Sequence, residues 1–147
     1  MIVTFCGHSK VDQPEDVSAW LDRILPSLIE GGADTFYLGG YGAFDRLAEG
    51  AVRRQKKTYP HIEMILVLAY LNRNADAARY DRTTYPSLEK VPPRYAIVKR
   101  NEWMVRESDV VISGVTHSWG GAARTLEFAQ KKRKVIFQYP IRLPSGG

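Results

Sequence analysis

The sequence predicts an α/β domain of Rossmann type, a three-layer αβα sandwich around a mainly parallel sheet of about five strands. Three observations point there. Short apolar runs alternate with longer stretches in which apolar residues recur every three or four positions, the two periods of strand and helix. The run Ile62 to Ala69 is apolar almost throughout, as expected of a strand buried on both faces of a sheet. Two glycine-rich turns, Gly39-Gly40-Tyr41-Gly42 and Gly120-Gly121, fall where a strand hands over to a helix. Strands that alternate with helices imply crossover units and a sheet covered on both faces.

Each element has its own signal. Val3 to Cys6 is a short apolar strand. Asp12-Gln13-Pro14-Glu15 has the form of a capping box, with Asp12 as N-cap and Glu15 reaching back. Val17, Trp20, Leu21, Ile24 and Leu28 then follow at helical spacing. Pro26 falls inside that helix, where it removes a donor and is expected to kink it. Gly31-Gly32 ends it. Thr35 to Leu38 reads as the second strand, and Phe44, Leu47, Ala48, Ala51 and Val52 mark the second helix. After the strand at Ile62 to Ala69, residues Tyr70 to Arg94 form a long, polar, proline-bearing connection. A connection of that length in a small domain suggests a lid. Tyr95 to Glu107 reads as a helix, Val110 to Val115 as a buried strand, Ala122 to Lys132 as a helix with Leu126 and Ala129 inward, and Val135 to Tyr139 as the last strand. One domain over residues 1–139 is expected, followed by a frayed tail over 140–147.

Bulk properties narrow the class. At 147 residues, with 44% hydrophobic and 25% charged, the chain suits one globular domain with a core of its own. A single cysteine allows no intrachain disulfide. The first residues lack the basic and apolar regions of a signal peptide, and no apolar run is long enough to cross a bilayer. A cytoplasmic location with no membrane partner is expected. The net charge of +5 favours anionic partners in general. The basic clusters Arg53-Arg54 with Lys56-Lys57, and Lys131-Lys132-Arg133-Lys134, fall at the ends of two helices. There they oppose the helix dipole on a solvated face, which explains them without a nucleic-acid patch.

In parallel sheets of this kind ligands bind beyond the carboxyl ends of the strands, so the loops after Cys6, Leu38, Ala69 and Val115 carry the interest. Gly7-His8-Ser9 follows the first strand. Gly39-Gly40-Tyr41-Gly42 follows the second and opens a helix, so its amides and the helix dipole can face an anion. It departs from the dinucleotide fingerprint, since the third glycine would fall at Asp45. Ser118-Trp119-Gly120-Gly121-Ala122 repeats the arrangement at the next helix. Three such loops at one sheet edge point to a phosphate or ribose pocket. Tyr41 and Trp119 are candidates for stacking on a base, although rim or core packing would account for either. Cys6 reads as a small buried hydrophobe. Three histidines without ligand spacing make no zinc site, and neither a metal nor a cofactor is expected.

These motifs, in this order, carry a resemblance. Phe5-Cys6-Gly7-His8-Ser9, Tyr37-Leu38-Gly39-Gly40-Tyr41-Gly42, the segment from Arg100 through Met104 to Ser108-Asp109, and Gly120-Gly121 followed by Glu127 resemble LOG-type proteins, the cytokinin-activating phosphoribohydrolases. The chain is more similar still to the YspA-like branch of the wider SLOG superfamily, through Gly39 to Asp45, Arg100-Asn101-Glu102-Trp103-Met104 and Ser118 to Ala122. The resemblance implies a Rossmann-like fold, a nucleotide-derived ligand and a homodimer. In the LOG enzymes the arginine and glutamate at the places of Arg100 and Glu127 serve cleavage of an N-glycosidic bond, so it implies these two as catalytic residues. An oxocarbenium-like transition state is stabilised by a carboxylate, and an arginine clamps phosphate. This chain departs from the pattern at Asn101 (lysine in the family), Trp119 (proline) and Ala123 (glycine), and its threonine falls one place late, at Thr125.

Three functions follow as expectations. The first is binding of a nucleotide or nucleotide-derived phosphate compound, without turnover, as a sensing module. The second is an N-glycosidase acting on a nucleoside monophosphate. The third is a DNA-associated protein, because the DprA-type processing proteins share the superfamily. The mild charge excess and the lack of a recognisable added DNA-binding segment make nucleic acid a partner that the sequence does not lead one to expect.

Overall fold

The structure is a computed structural model that describes residues 1–71 and 77–140. Its strands are β1 (Ile2–Gly7), β2 (Thr35–Leu38), β3 (Glu63–Val67), β4 (Arg82–Thr84), β5 (Val110–Gly114) and β6 (Val135–Gln138). Its helices are α1 (Pro14–Glu30), α2 (Ala43–Lys56), α3 (Ala96–Glu107) and α4 (Gly121–Lys131), with short 3-10 turns at Ala77–Arg79 and Pro93–Tyr95. All six strands join one sheet in the order β4-β3-β2-β1-β5-β6. Every pairing is parallel.

Side-chain alternation along the strands divides the core between two faces. Val3, Phe5, Phe36, Leu38, Met64, Leu66, Val110 and Ile112 point to the face covered by α1 and α2. Cys6, Val111 and Val115 point to the other, where Val105 of α3 and Ala123 and Ala129 of α4 meet them. The helices bury the stripe that their spacing predicts. α1 inserts Val17, Trp20, Leu21, Leu25, Leu28 and Ile29, each contributing about 1.5–3 kcal/mol where fully buried.

Two expectations, the capping box and the strand count, need correction. Gln13, not Asp12, stands at the N-cap of α1 and Pro14 opens the helix, so Asp12 lies one residue outside and caps nothing. α1 runs unbroken from Pro14 to Glu30 with Pro26 inside it. The sheet has six strands because part of the long connection is an edge strand. Within it Leu68 donates to the carbonyl of Thr84 at 2.8 Å and Asp81 to that of Met64 at 2.9 Å. None of the connection's described residues lines the cleft at the sheet edge. Of that connection residues 72–76, and of the tail residues 141–147, lie outside the described residues.

The basic clusters serve local ends. Arg53 pairs with Glu49 at 2.5 Å, Arg54 with Asp22 at 3.0 Å and Lys56 with Asp81 at 2.5 Å. Lys134 donates to the carbonyls of Arg106 and Ser108, at the end of α3, at 3.1 and 2.8 Å.

Candidate functional site

The strand order reverses between β1 and β5. The chain steps outward from β1 to β4, then returns to the far side of β1 for β5. A crevice opens at such a reversal beyond the strand ends. Here it is a cleft of about 430 Å³. Gly7, His8 and Ser9 line it from β1, Tyr41 from the first glycine turn, and Trp119, Gly120, Gly121 and Ala122 from the second. α3 closes it with Ile97, Arg100, Asn101 and Met104, spaced as one helical face.

Phe44 anchors these loops. Gly7 and Gly114 are register partners on β1 and β5, and a Cβ on either would collide with the Phe44 ring. The paired glycines therefore let α2 start directly over the strand ends. Its first amides are spoken for: Ala43 donates to the carbonyl of Ser9 at 3.0 Å and Phe44 to that of His8 at 3.3 Å.

The first glycine turn is likewise closed upon itself. The Asp45 carboxylate accepts from the amides of Gly39 at 3.1 Å and Tyr41 at 3.4 Å. Arg100, only 6% exposed, donates through Nη1 to the carbonyls of Gly39 at 3.1 Å and Val67 at 3.0 Å, tying the ends of β2 and β3 together. Its guanidinium lies 2.8 Å from where a Cβ on Gly39 would be. Burial pushes the Asp45 pKa up to about 6, against the pull of Arg100 and the donated amides. Burial lowers that of Arg100, opposed by Asp45.

The second turn is open. Gly120 adopts φ +95 at the N-cap of α4, a conformation that favours glycine. The first intrahelical bond runs from Arg124 to the carbonyl of Gly120 at 3.1 Å. The amides of Gly121, Ala122 and Ala123 make no hydrogen bond among the described residues. Nothing lies within 4 Å of a Cβ built on Gly121. These free amides stand at the positive end of the helix dipole, and Gly121 and Ala122 line the cleft.

An aromatic stack forms the lip. His8 lies over His117 with ring centroids 3.6 Å apart, and His117 over Trp119 at 3.7 Å. The amide of Thr116 donates to Nε2 of His8 at 3.0 Å, which requires that nitrogen to be unprotonated. Burial, then the neighbouring His117, lowers the His8 pKa. Nδ1 of His117 is buried and has no hydrogen-bond partner among the described residues. Trp119 and Tyr41 stand 69% and 74% exposed at the rim and line the cleft. Cys6 is buried and its thiol is pushed up to about 12, so it supplies no thiolate.

Most of the expected site residues line this cleft at one sheet edge, whereas Gly39, Gly40, Gly42, Ser118 and Glu127 do not. Ser118 sits in the second turn outside the cleft lining, and Glu127 is exposed on α4 away from it. α4 begins at Gly121. At about 100° per residue, Glu127 falls about 240° around the helix, whereas Thr125 turns back to the cleft and donates to the carbonyl of Gly121 at 2.9 Å. Glu127 is therefore not brought together with Arg100. The carboxylate inside the cleft is Asp45, which the sequence marks only as the place of a missing third glycine. Lys10 also lines the cleft and carries no motif. No group of three or more His, Cys, Asp or Glu residues suited to a metal ion occurs among the described residues.

No family model matches the chain, and no curated protein matches it in sequence. Solved structures do match its fold. It superposes on DNA processing protein A from Helicobacter pylori, described for its single-stranded DNA binding mode, with TM-score 0.70 and 19% identity over 97% of this chain and 66% of that one. DNA processing protein A from Streptococcus pneumoniae gives TM-score 0.70 and 15% identity over 98% of this chain and 52% of that one. The chain spans about two thirds and about half of their lengths. A molybdenum cofactor binding protein from Rippkaea orientalis gives TM-score 0.65 and 18% identity over 93% of this chain and 74% of that one. These likenesses show a fold shared with the DprA proteins and do not single out the YspA-like branch. They overturn the expectation that sets nucleic acid aside. The Helicobacter pylori protein, which shares this fold, is described for binding single-stranded DNA, so a modest positive charge is no ground for setting such a partner aside. The chain has the Rossmann-like fold of the DprA proteins.

Proposed function

We propose that the cleft binds a nucleotide unit, with a phosphate on the free amides of Gly121, Ala122 and Ala123 and the base against Trp119 or Tyr41. The observation that carries this is the contrast between the two glycine turns. One is filled by Asp45, and the other opens a helix whose first amides have no partner among the described residues and whose Gly121 and Ala122 line the cleft. Lys10 adds a positive charge to the same wall. With Glu127 outside the cleft, the residues favour binding over N-glycosidic cleavage.

A second reading has its own support. A nucleotide unit within a single DNA strand presents the same phosphate and base, and two of the structural neighbours are DNA processing proteins. Stacking platforms beside backbone-binding donors are how single strands are held without sequence preference.

A thermal-shift series with nucleoside mono-, di- and triphosphates and a short single-stranded oligonucleotide tests both. Binding to the folded state raises the melting temperature by mass action. A shift with a mononucleotide, lost in Gly121→Val, is expected. Chromatography of the bound nucleotide should return it intact, and released base would make the protein a glycosidase. A shift confined to the oligonucleotide and falling steeply with salt selects the second reading. No shift with any of them overturns the assignment of the cleft.

A further inference from the structure

We propose that Asp45 determines specificity at this site: its carboxylate fills the anion position of the first glycine turn from within, so the cleft takes its ligand through a single phosphate at the second turn. This rests on the reading of the cleft as a phosphate site. It adds how many phosphates are engaged and which residue sets that number.

Each feature that makes the first turn look like a phosphate loop has an internal explanation. Gly39 carries no Cβ because the Arg100 guanidinium occupies that space. Gly40 and Gly42 hold φ of +71 and +92, and a Cβ on Gly42 would lie 2.9 Å from Cα of Ser9. The amides that would hold a phosphate oxygen instead converge on one carboxylate. Gly39 donates to Oδ2 at 3.1 Å and Tyr41 at 3.4 Å. Asp45 sits in the first turn of α2, where a negative charge also meets the helix dipole. The turn is thus an anion site with its anion built in.

The second turn has no counterpart. The first turn of α4 holds no acidic residue. One anion position in the cleft is taken and the other is free. The two turns open on the same crevice, so a second ligand phosphate near the first turn meets a carboxylate whose amide donors are already taken, with the Arg100 guanidinium beside it. Like charges in a partly desolvated site repel strongly. A monophosphate avoids that encounter.

The test follows the backbone amides by NMR while inorganic phosphate is added to the wild type and to Asp45→Gly. In the wild type, shifts are expected at Gly120 to Ala123 and not at Gly39, Gly40 or Tyr41. In Asp45→Gly the amides of the first turn should respond as well. Shifts at Gly39 to Tyr41 in the wild type, or none there in the variant, would overturn the role of Asp45. A wild type that responds nowhere would overturn the cleft assignment alone, while the variant still decides the state of the first turn. Asp45→Asn keeps the shape and removes the charge, which serves if the glycine variant does not fold. Its affinity for ADP relative to AMP should rise on the order of tenfold over the wild type. An unchanged ratio would count against the proposal.

Discussion

Phe44 sets the residues allowed on two strands at once. Its ring, 1% exposed, fills the space above Gly7 and Gly114. Neither glycine has a positive φ, so the demand is one of volume. Gly114→Ala should therefore destabilise the protein by about 1–3 kcal/mol, the usual cost of overpacking. Urea denaturation measures this, and adding Phe44→Leu should return part of the loss. Full additivity of the two changes would show that they do not share the space. Asp45 gives a prediction with a sign. Its folded-state pKa of about 6 lies above the ordinary 3.8, so the folded chain holds the proton more tightly. The associated stability is complete below about pH 4 and is lost as pH rises through 6. Denaturation midpoints of Asp45→Asn should lack this decline and exceed those of the wild type at pH 7. Parallel pH profiles would mean that folding does not perturb the carboxyl.

Among the elements, α1 tolerates what its sequence argues against. Pro26 cannot donate a hydrogen bond, yet the helix continues to Glu30, held by Leu25, Leu28 and Ile29 in the core. Tertiary burial here outweighs local propensity. Pro26→Ala restores a donor and should raise stability by about 1–3 kcal/mol, read as a higher melting temperature. A lower one would show that the proline's rigidity matters more than its missing bond. β4 escapes sequence reading for a plain reason. Arg82, Thr83 and Thr84 are exposed or half-buried, and a three-residue polar edge strand carries no apolar period. It forms because β3 offers an unpaired edge. β6 shows how an edge supports the site: Gln138 donates to the carbonyl of Val115 at 2.8 Å and steadies the loop that leads to the second glycine turn.

For the molecule as a whole, the position of the cleft follows from strand order. Consecutive parallel strands need crossovers, and the return from β4 to β5 places two glycine turns and the His8 loop around one crevice. Its depth comes from α3, whose Ile97, Arg100, Asn101 and Met104 form a wall. The helix and its Arg100-Asn101 motif were legible in the sequence, but the wall these four form and the object they face were not. The same holds for the stack of His8, His117 and Trp119, which joins residues 8 and 117 through the pairing of β1 with β5.

The sequence by itself determined the class of fold, five of the six strands, all four helices and the edge on which the glycine turns meet. Periodicity and turn chemistry are local, and they survive without knowledge of partners. Only the tertiary structure decided which turn is filled and which is open, that Glu127 faces away from Arg100, and that Asp45 is the carboxylate in the cleft. Those outcomes depend on helix phase and on which amides find an acceptor, and both are settled by packing between residues far apart in the chain.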